Sequence, residues 1–376
     1  MKILLATNFL KGSLSAIEAA ECLKKGILSV KSDSEIIIIP IADGGDGTIQ
    51  AIKHCTEYTE HISSVKGPLE KTVNAKWLIL NRDNEKVAII EGAQANGLSI
   101  LKPSEYNPLI TTSYGIGQLV VEALDKGCSK IYVTIGGSST NDGGSGILQA
   151  LGVSFKDKNN NELSYGGGAL ENLHSINFDG LDKRLKNIRL IVACDVDNPL
   201  CGKNGASAIY GPQKGASLDI VRQLDKNLGH LADLVAPITK EDFRDFPGVG
   251  AAGGIGFAFK AILEADLIPG FELVAELSQM ETKMKGVNLV ITTEGRLDSQ
   301  SLSGKAPYQV AKLAKKYNVP TIVIAGSIER GLDLKKANIT SAFSIVDEPM
   351  SLEEAMKNAG ILMENTGKQI INLLLL

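Results

Sequence analysis

The chain has 376 residues, 44% of them hydrophobic, and a formal net charge of −4. That length and apolar share suit about two globular domains and exclude an intrinsically disordered chain. Lys and Arg are mixed with Asp and Glu throughout, without a basic stripe or an aromatic platform, which excludes nucleic acid as a partner. A small anionic substrate must therefore be captured by local positive groups. Five cysteines show no zinc-ligand spacing, and four histidines are scattered with no HExxH. They read as buried thiols in a reducing compartment and as ordinary packing or surface residues. The segment Met1–Thr7 is too short for a signal sequence, and the Leu373–Leu376 run is too short to span a bilayer. A cytoplasmic protein without a membrane partner is expected.

The first strand ends near Thr7, and a helix begins around Ser13 or Ser15, where Ser15 and Glu18 fit a capping box. Ala16, Ala19, Ala20, Leu23 and Ile27 follow at helical spacing. A second strand is expected over Glu35–Ile41, then a helix after Asp43–Thr48, giving a βαβ opening with a parallel sheet. After about residue 57 the texture changes. Strand-like runs near His61–Val65, Thr72–Leu80 and Lys86–Ile90, joined by short polar turns, read as an antiparallel meander. A helix near Ile116–Lys126 and a strand Lys130–Ile135 follow. From about Gly286 the βαβ rhythm returns. Its parts are Leu289–Thr293, a helix near Tyr308–Tyr317, Thr321–Ile324, a short helix, Ser341–Val346 and a last helix from Ser351, with Glu354 completing a capping box. The expected organisation is α/β, with a discontinuous domain of residues 1–57 and 286–376 and an inserted domain of residues 58–285.

Strand ends followed by Gly and Asp recur along the chain. The bursts are Ile41–Thr48, Ile135–Gly144, Ala193–Pro199, Thr293–Asp298 and Ile324–Ser327. In open α/β sheets ligands bind just beyond the carboxyl ends of strands. Glycine lets backbone N–H groups approach a phosphate, and carboxylates hold Mg²⁺. Together the bursts suggest a phosphate-and-metal cleft. Gly136, Gly137, Ser138, Ser139, Thr140 and Asn141, followed by Asp142, Gly143 and Gly144, form the densest of them and read as a nest for an anion, the alternative being a helix cap. Asp195 and Asp197 share a face of an extended segment, suited to Mg²⁺ or a substrate hydroxyl, or else to an Asx-turn stopped by Pro199. Glu294, Arg296 and Asp298 place a cation between two acids beyond a strand, for charge on a transferring phosphoryl group or for a structural ion pair. Lys11 and Lys305 are placed as phosphate lysines. There is no Walker A motif, because Ala306 follows Gly304-Lys305, and the Gly248, Gly250, Gly253 pattern follows no strand.

Read together, these segments resemble the type-1 glycerate kinase family. The matching pieces are Lys11–Ala16, Ala42–Thr48, Gly67-Pro68-Leu69, Thr111–Gly115, Ile135–Gly144, Cys194–Leu200, Gly211–Ala216, Gly250–Gly254, Glu294–Asp298 and Gly304–Pro307, in family order over nearly the whole chain. The resemblance implies a flavodoxin-like domain, an inserted mixed α/β domain of restriction-enzyme-like topology, and an active site in the cleft between them. It implies ATP- and Mg²⁺-dependent phosphorylation of D-glycerate to 2-phosphoglycerate. Alternatives are 3-phosphoglycerate as product, another small hydroxy acid as acceptor, a Mg²⁺-dependent phosphatase, and a non-catalytic nucleotide or organic-acid sensor. On this reading Asp195 orients the acceptor hydroxyl, with Asp43 the second choice. Asp197, Asp46 and Glu294 are candidate Mg²⁺ ligands, and Lys11, Arg296 and Lys305 bind phosphates or the glycerate carboxylate. Three departures stand out. Asn8 replaces an acid of the usual Pro-Asp-Ser-Phe-Lys, Thr293 replaces the Gly of Thr-Gly-Glu-Gly-Arg, and Gln94 and Asn96 alter a loop that could set acceptor specificity.

Overall fold

The computed structural model describes residues 1–42, 47–82 and 84–376, so the expectations for Asp43 and Asp46 lie outside the described residues. In chain order the strands are β1 (Lys2–Ala6), β2 (Glu35–Ile38), β3 (Thr59–Lys66), β4 (Thr72–Arg82), β5 (Glu85–Glu91), β6 (Lys130–Thr134) and β7 (Ser154–Lys156). They continue with β8 (Ser175–Asn177), β9 (Arg189–Ala193), β10 (Asp266–Ile268), β11 (Leu289–Leu297), β12 (Thr321–Ile328) and β13 (Ser341–Ser344). The helices used below are α1 (Ala16–Val30), α2 (Tyr114–Asp125), α3 (Leu218–Thr239), α4 (Ala306–Lys316), α5 (Leu352–Lys357) and α6 (Ala359–Leu374). Two compact units divide the chain, one of Met1–Asp43, Gln50–Thr56 and Phe271–Leu376, the other of Gly44–Ile49 and Glu57–Gly270.

The first unit holds a parallel sheet in the order β13-β12-β11-β1-β2. Its interior strand β1 is an unbroken apolar run from Ile3 to Ala6 because both faces are covered. Ile3 and Leu5 pack with α1 and α6, while Leu4 and Ala6 pack with Val290, Val310 and Met280 on the other face. The segment 271–285 contributes Phe271, Met280 and Met284 to that second layer. Ser15 and Glu18 form the capping box of α1, and Ser351 and Glu354 that of α5. The helices α1 and α6 touch backbone to backbone at Gly26, where a Cβ would lie 2.0 Å from the carbonyl oxygen of Glu364.

The second unit holds a mixed sheet in the order β10-β9-β6-β5-β4-β3. The pairs β3–β4 and β4–β5 are antiparallel, as the meander reading expects, and the rest are parallel. Helix α2 packs Ile116, Leu119, Val120 and Ala123 on Ile90, Ile131 and Val133 of this sheet. Leu228, Leu231 and Val235 of α3 pack with Phe257 and Phe155 in a separate cluster. Among the described residues no helix is long and apolar enough to cross a membrane.

Three elements differ from expectation. Strand β2 stops at Ile38 rather than Ile41, because Pro40 has no N–H to give to the ladder, although Ile41 N still donates to Thr7 O at 2.7 Å. No helix forms between β12 and β13; residues 330–338 are turns, with Ala337 N bonded to Leu334 O. Strands β11 and β12 run on past Thr293 and Ile324. They pair Glu294 with Ala325, Arg296 with Ser327 and Leu297 with Ile328. The acid–Arg motif is therefore a strand end and not a loop. Gly326 permits the close approach, since a Cβ there would sit 2.7 Å from Gly295 O.

Candidate functional site

In the first sheet β1 lies beside β11, yet the chain leaves β1 toward β2 on one side and β11 toward β12 on the other. Such a switch point opens a crevice at the carboxyl ends of the strands, where α/β sheets bind ligands. The segment after β1 and the ends of β11 and β12 line a cavity of about 800 Å³ at that place.

Strand alternation puts Glu294 and Arg296 on one face with Gly295 between them. Arg296 is exposed, and its guanidinium is 3.8 Å from Glu329; Lys305 Nζ is 3.9 Å from Asp298. These are long, solvent-screened pairs, worth about 0–1 kcal/mol at most, so both cations remain available to a ligand. Lys11 is exposed. Glu294 is half-buried; its Oε2 has no hydrogen-bond partner among the described residues, and burial raises its pKa. Asp298 accepts from Ser301 N at 2.9 Å and Ser301 Oγ at 3.1 Å, and those bonds hold its pKa low. The structure thus gathers Lys11, Glu294, Arg296 and Lys305 around one cavity.

Two of the departures meet here. The Thr293 hydroxyl accepts from Asn8 N at 3.0 Å and donates to Asn8 O at 2.6 Å. The Asn8 side chain in turn accepts from Phe9 N at 2.9 Å. The hydroxyl that takes the place of a glycine therefore pins the turn after β1 to β11.

In the second unit the loop after β6 is built differently from an open nest. Gly137, Gly143 and Gly144 have φ of 73°, 64° and 73°, a region glycine enters without strain. Gly136 is half-buried and Gly137 exposed, but Ser139, Thr140, Asn141 and Asp142 are enclosed. Most of their polar groups are used internally, although Asn141 Oδ1 has no hydrogen-bond partner among the described residues. Ser139 Oγ donates to Asn96 O, Asn96 Nδ2 donates to Thr140 Oγ1, and Asn141 Nδ2 donates to Ser207 Oγ. Asp142 accepts from Ser113 N and Oγ and from Gly144 N. Burial of backbone-bound hydroxyls is what a tight strand-to-helix turn demands, since each enclosed polar group needs a partner. The accessible part of the expected nest is Gly136 and Gly137, with Ser138 just beneath. The Gly250–Gly254 run packs on the same loop: Gly143 N donates to Gly253 O at 3.0 Å, and a Cβ on Gly253 would meet Thr140 O at 2.0 Å.

Sequence reasoning missed Lys214. Its ammonium is enclosed and donates to Ser138 Oγ at 3.0 Å and Thr140 O at 2.6 Å. Burial pushes its pKa down to about 7, against the pull of Asp142. Its signal was present in Gly211–Ala216, where Gly215 adopts φ 92° against the backbone of Tyr106. Asp195 and Asp197 are both exposed, and Asp195 Oδ1 accepts from Gly270 N at 2.9 Å. Among the described residues no cluster of three or more His, Cys, Asp or Glu could hold a metal ion by itself.

A parallel sheet whose switch point carries cations beside carboxylates offers a place for an anionic ligand. The glycerate kinase family model matches residues 3–375. The chain is 45% identical to a glycerate kinase of Bacillus subtilis over 98% of its own length and 97% of that protein's. It is also 45% identical to a glycerate 2-kinase of Escherichia coli, over 96% and 94%. A solved chain from Salmonella typhimurium LT2, provisionally named glycerate kinase 2, superposes with a TM-score of 0.88 at 42% identity, covering 100% of this chain and 98% of that one. The chain belongs to the glycerate kinase family, and it is a kinase.

Proposed function

We propose that this kinase transfers the γ-phosphoryl of ATP to the 2-hydroxyl of D-glycerate. The observation that carries the reading is the grouping of Lys11, Arg296 and Lys305 beside Glu294 and Asp298 in one cavity at the switch point. Phosphoryl transfer asks for positioning and charge neutralisation more than for covalent chemistry. The three cations bind phosphate oxygens, and the guanidinium of Arg296 offers a planar fork to a terminal phosphoryl group. Asp195 accepts the hydroxyl proton as the new O–P bond forms and the bond to ADP breaks; an exposed carboxylate at a strand end suits that role. The exposed Gly136–Gly137 backbone above Ser138 is a second anion contact.

Magnesium fits these residues in a specific way. The buried, unpartnered Oε2 of Glu294 and the carboxylate of Asp298 make a donor set of the kind that holds Mg²⁺ together with substrate phosphates, not a closed protein cage. When bound, the ion would neutralise charge between adjacent phosphate oxygens. The five cysteines are free thiols, which suits a reducing, cytoplasmic setting. An ADP-release assay with ATP, Mg²⁺ and D-glycerate tests the proposal. ADP formed only when D-glycerate is present supports it. Phosphate release from 2-phosphoglycerate without ATP would favour the phosphatase, and nucleotide binding without turnover the sensor.

A further inference from the structure

Lys214 of the second unit is 2% exposed, and its two partners, Ser138 Oγ and Thr140 O, are neutral oxygens. A buried ammonium held by neutral groups is costly, and an apolar side chain would fill the same space at less expense. The backbone is nonetheless built to hold it there. Pro212–Lys214 is one tight turn, closed by hydrogen bonds from Lys214 N and Ala216 N to Gly211 O at 3.0 and 3.1 Å. The loop that receives the ammonium is equally fixed. Leu98 N donates to Gly137 O at 2.8 Å and Ser139 N to Asn96 O at 2.9 Å. Residues 137–139 are thereby clamped to the loop that carries Gln94 and Asn96.

We propose that Lys214 is a positioning residue: it makes the Ser138 hydroxyl a fixed donor to a substrate oxyanion resting on Gly136 and Gly137. The proposal rests on the phosphotransfer reading, in which that backbone contacts an anion. An ammonium has N–H donors and no acceptor. Where it meets Ser138, the Oγ must accept, and the hydroxyl proton is left for another partner. Among the described residues that proton has no acceptor. Thr140 O is a carbonyl and can only accept, so it holds the ammonium from a second side. Ser138 keeps 6% of its surface open, and beside it Gly137 is exposed and Gly136 half-buried. Neither glycine has a side chain to keep an anion from the backbone. Burial brings the Lys214 pKa down to about 7, with Asp142 the titratable group that pulls against it. An anion nearby favours the ammonium over the neutral amine, so binding and orientation reinforce each other. The carboxylate of an acceptor acid and a phosphate of the donor offer the same oxygens to this pair.

Steady-state kinetics on the full chain separate this role from a structural one. Ser138→Ala should raise KM for one substrate by about tenfold or more, the scale of a hydrogen bond to a charged group. Ser138→Thr keeps the hydroxyl and should restore most of the loss. Lys214→Met should raise the same KM, and the double variant should be no worse than the worse single one, because both changes remove one interaction. A raised KM for D-glycerate identifies the anion as the carboxylate, and a raised KM for ATP as a phosphate. Should Lys214→Met not fold, wild type and Ser138→Ala decide. The same KM should be higher near pH 9 than near pH 6 in the wild type, as the ammonium is lost through about 7, and the difference should shrink in Ser138→Ala. Unchanged KM for both substrates in folded variants, with only Tm lowered, would overturn the proposal. So would fold-changes that multiply in the double variant, or the same pH dependence with and without the Ser138 hydroxyl. Calorimetry with D-glycerate and ADP keeps the two claims apart. If the wild type binds either, loses it in the variants and still never phosphorylates D-glycerate, the positioning role stands and the glycerate kinase reading falls. If the wild type turns over and every variant keeps its KM values, the reading stands and the positioning role falls.

Discussion

Lys214 Nζ donates to Ser138 Oγ at 3.0 Å from a fully enclosed position, tying the Gly211–Ala216 turn to the loop after β6. The same ammonium serves the carbonyl of Thr140, so its removal strands two acceptors in the interior. Lys214→Met should therefore cost about 2–4 kcal/mol of stability, measured by urea unfolding. The difference should depend on pH. The pKa of Lys214 falls from 10.5 in the unfolded chain to about 7 in the fold, so the folded state favours the neutral amine. Stability from this group is fully present above the unfolded value and is lost as pH falls through about 7. The wild-type advantage should be larger near pH 9 than near pH 6, the interval spanning that value. A difference that does not vary with pH would mean that the amine is not desolvated.

Glu294 offers the opposite sign. Burial raises its pKa above the ordinary 4.5, so its charge destabilises the fold once pH exceeds the folded value and costs nothing below the unfolded one. Glu294→Gln should raise Tm at neutral pH, with the gain vanishing near pH 4, while lowering kcat. Tolerance of a destabilising carboxylate is the signature of a site kept for chemistry. Unchanged kcat with raised Tm would remove Glu294 from the site.

How much of this was legible depends on range. The capping boxes of Ser15–Glu18 and Ser351–Glu354 are contacts within one turn and could be read directly. The meander after residue 57 was visible in alternation and turn residues. The extension of β11 through Glu294 and Arg296 was not, because its ladder partner lies some thirty residues on. The glycines of the β6 loop were read as an anion nest, and three of them do adopt positive φ, but whether Ser139 and Thr140 face a ligand or Asn96 depends on tertiary packing that no local pattern encodes. Lys214 was hidden by its type, since lysine is almost never enclosed without a partner.

Arg296→Lys keeps a positive charge but loses the planar fork. Its ion pair with Glu329 is long and exposed, so Tm should move little. A fall in kcat/KM of about tenfold or more, with Tm within a degree or so, is expected. A sharp loss of Tm with full activity in the folded fraction would make Arg296 a structural residue.

Asp195→Asn retains an oxygen to accept from Gly270 N, so the turn should persist. Losing the basic oxygen should lower kcat by about 10²–10⁴ with the fold intact, as steady-state kinetics and circular dichroism together would show. Wild-type turnover in the folded variant would leave Asp195 a turn residue.

The central claim is phosphoryl transfer to the 2-hydroxyl of D-glycerate, and proton-coupled ³¹P NMR of the product tests it most directly. Phosphorus on the secondary oxygen couples to the single proton of its carbon and gives a doublet. Phosphorus on the primary oxygen couples to the two protons of a methylene and gives a triplet. A new ester doublet, appearing together with ADP only when ATP, Mg²⁺ and D-glycerate are all present, is the predicted result. A triplet would contradict the position of transfer, and no new ester resonance with active, folded enzyme would contradict the reaction itself.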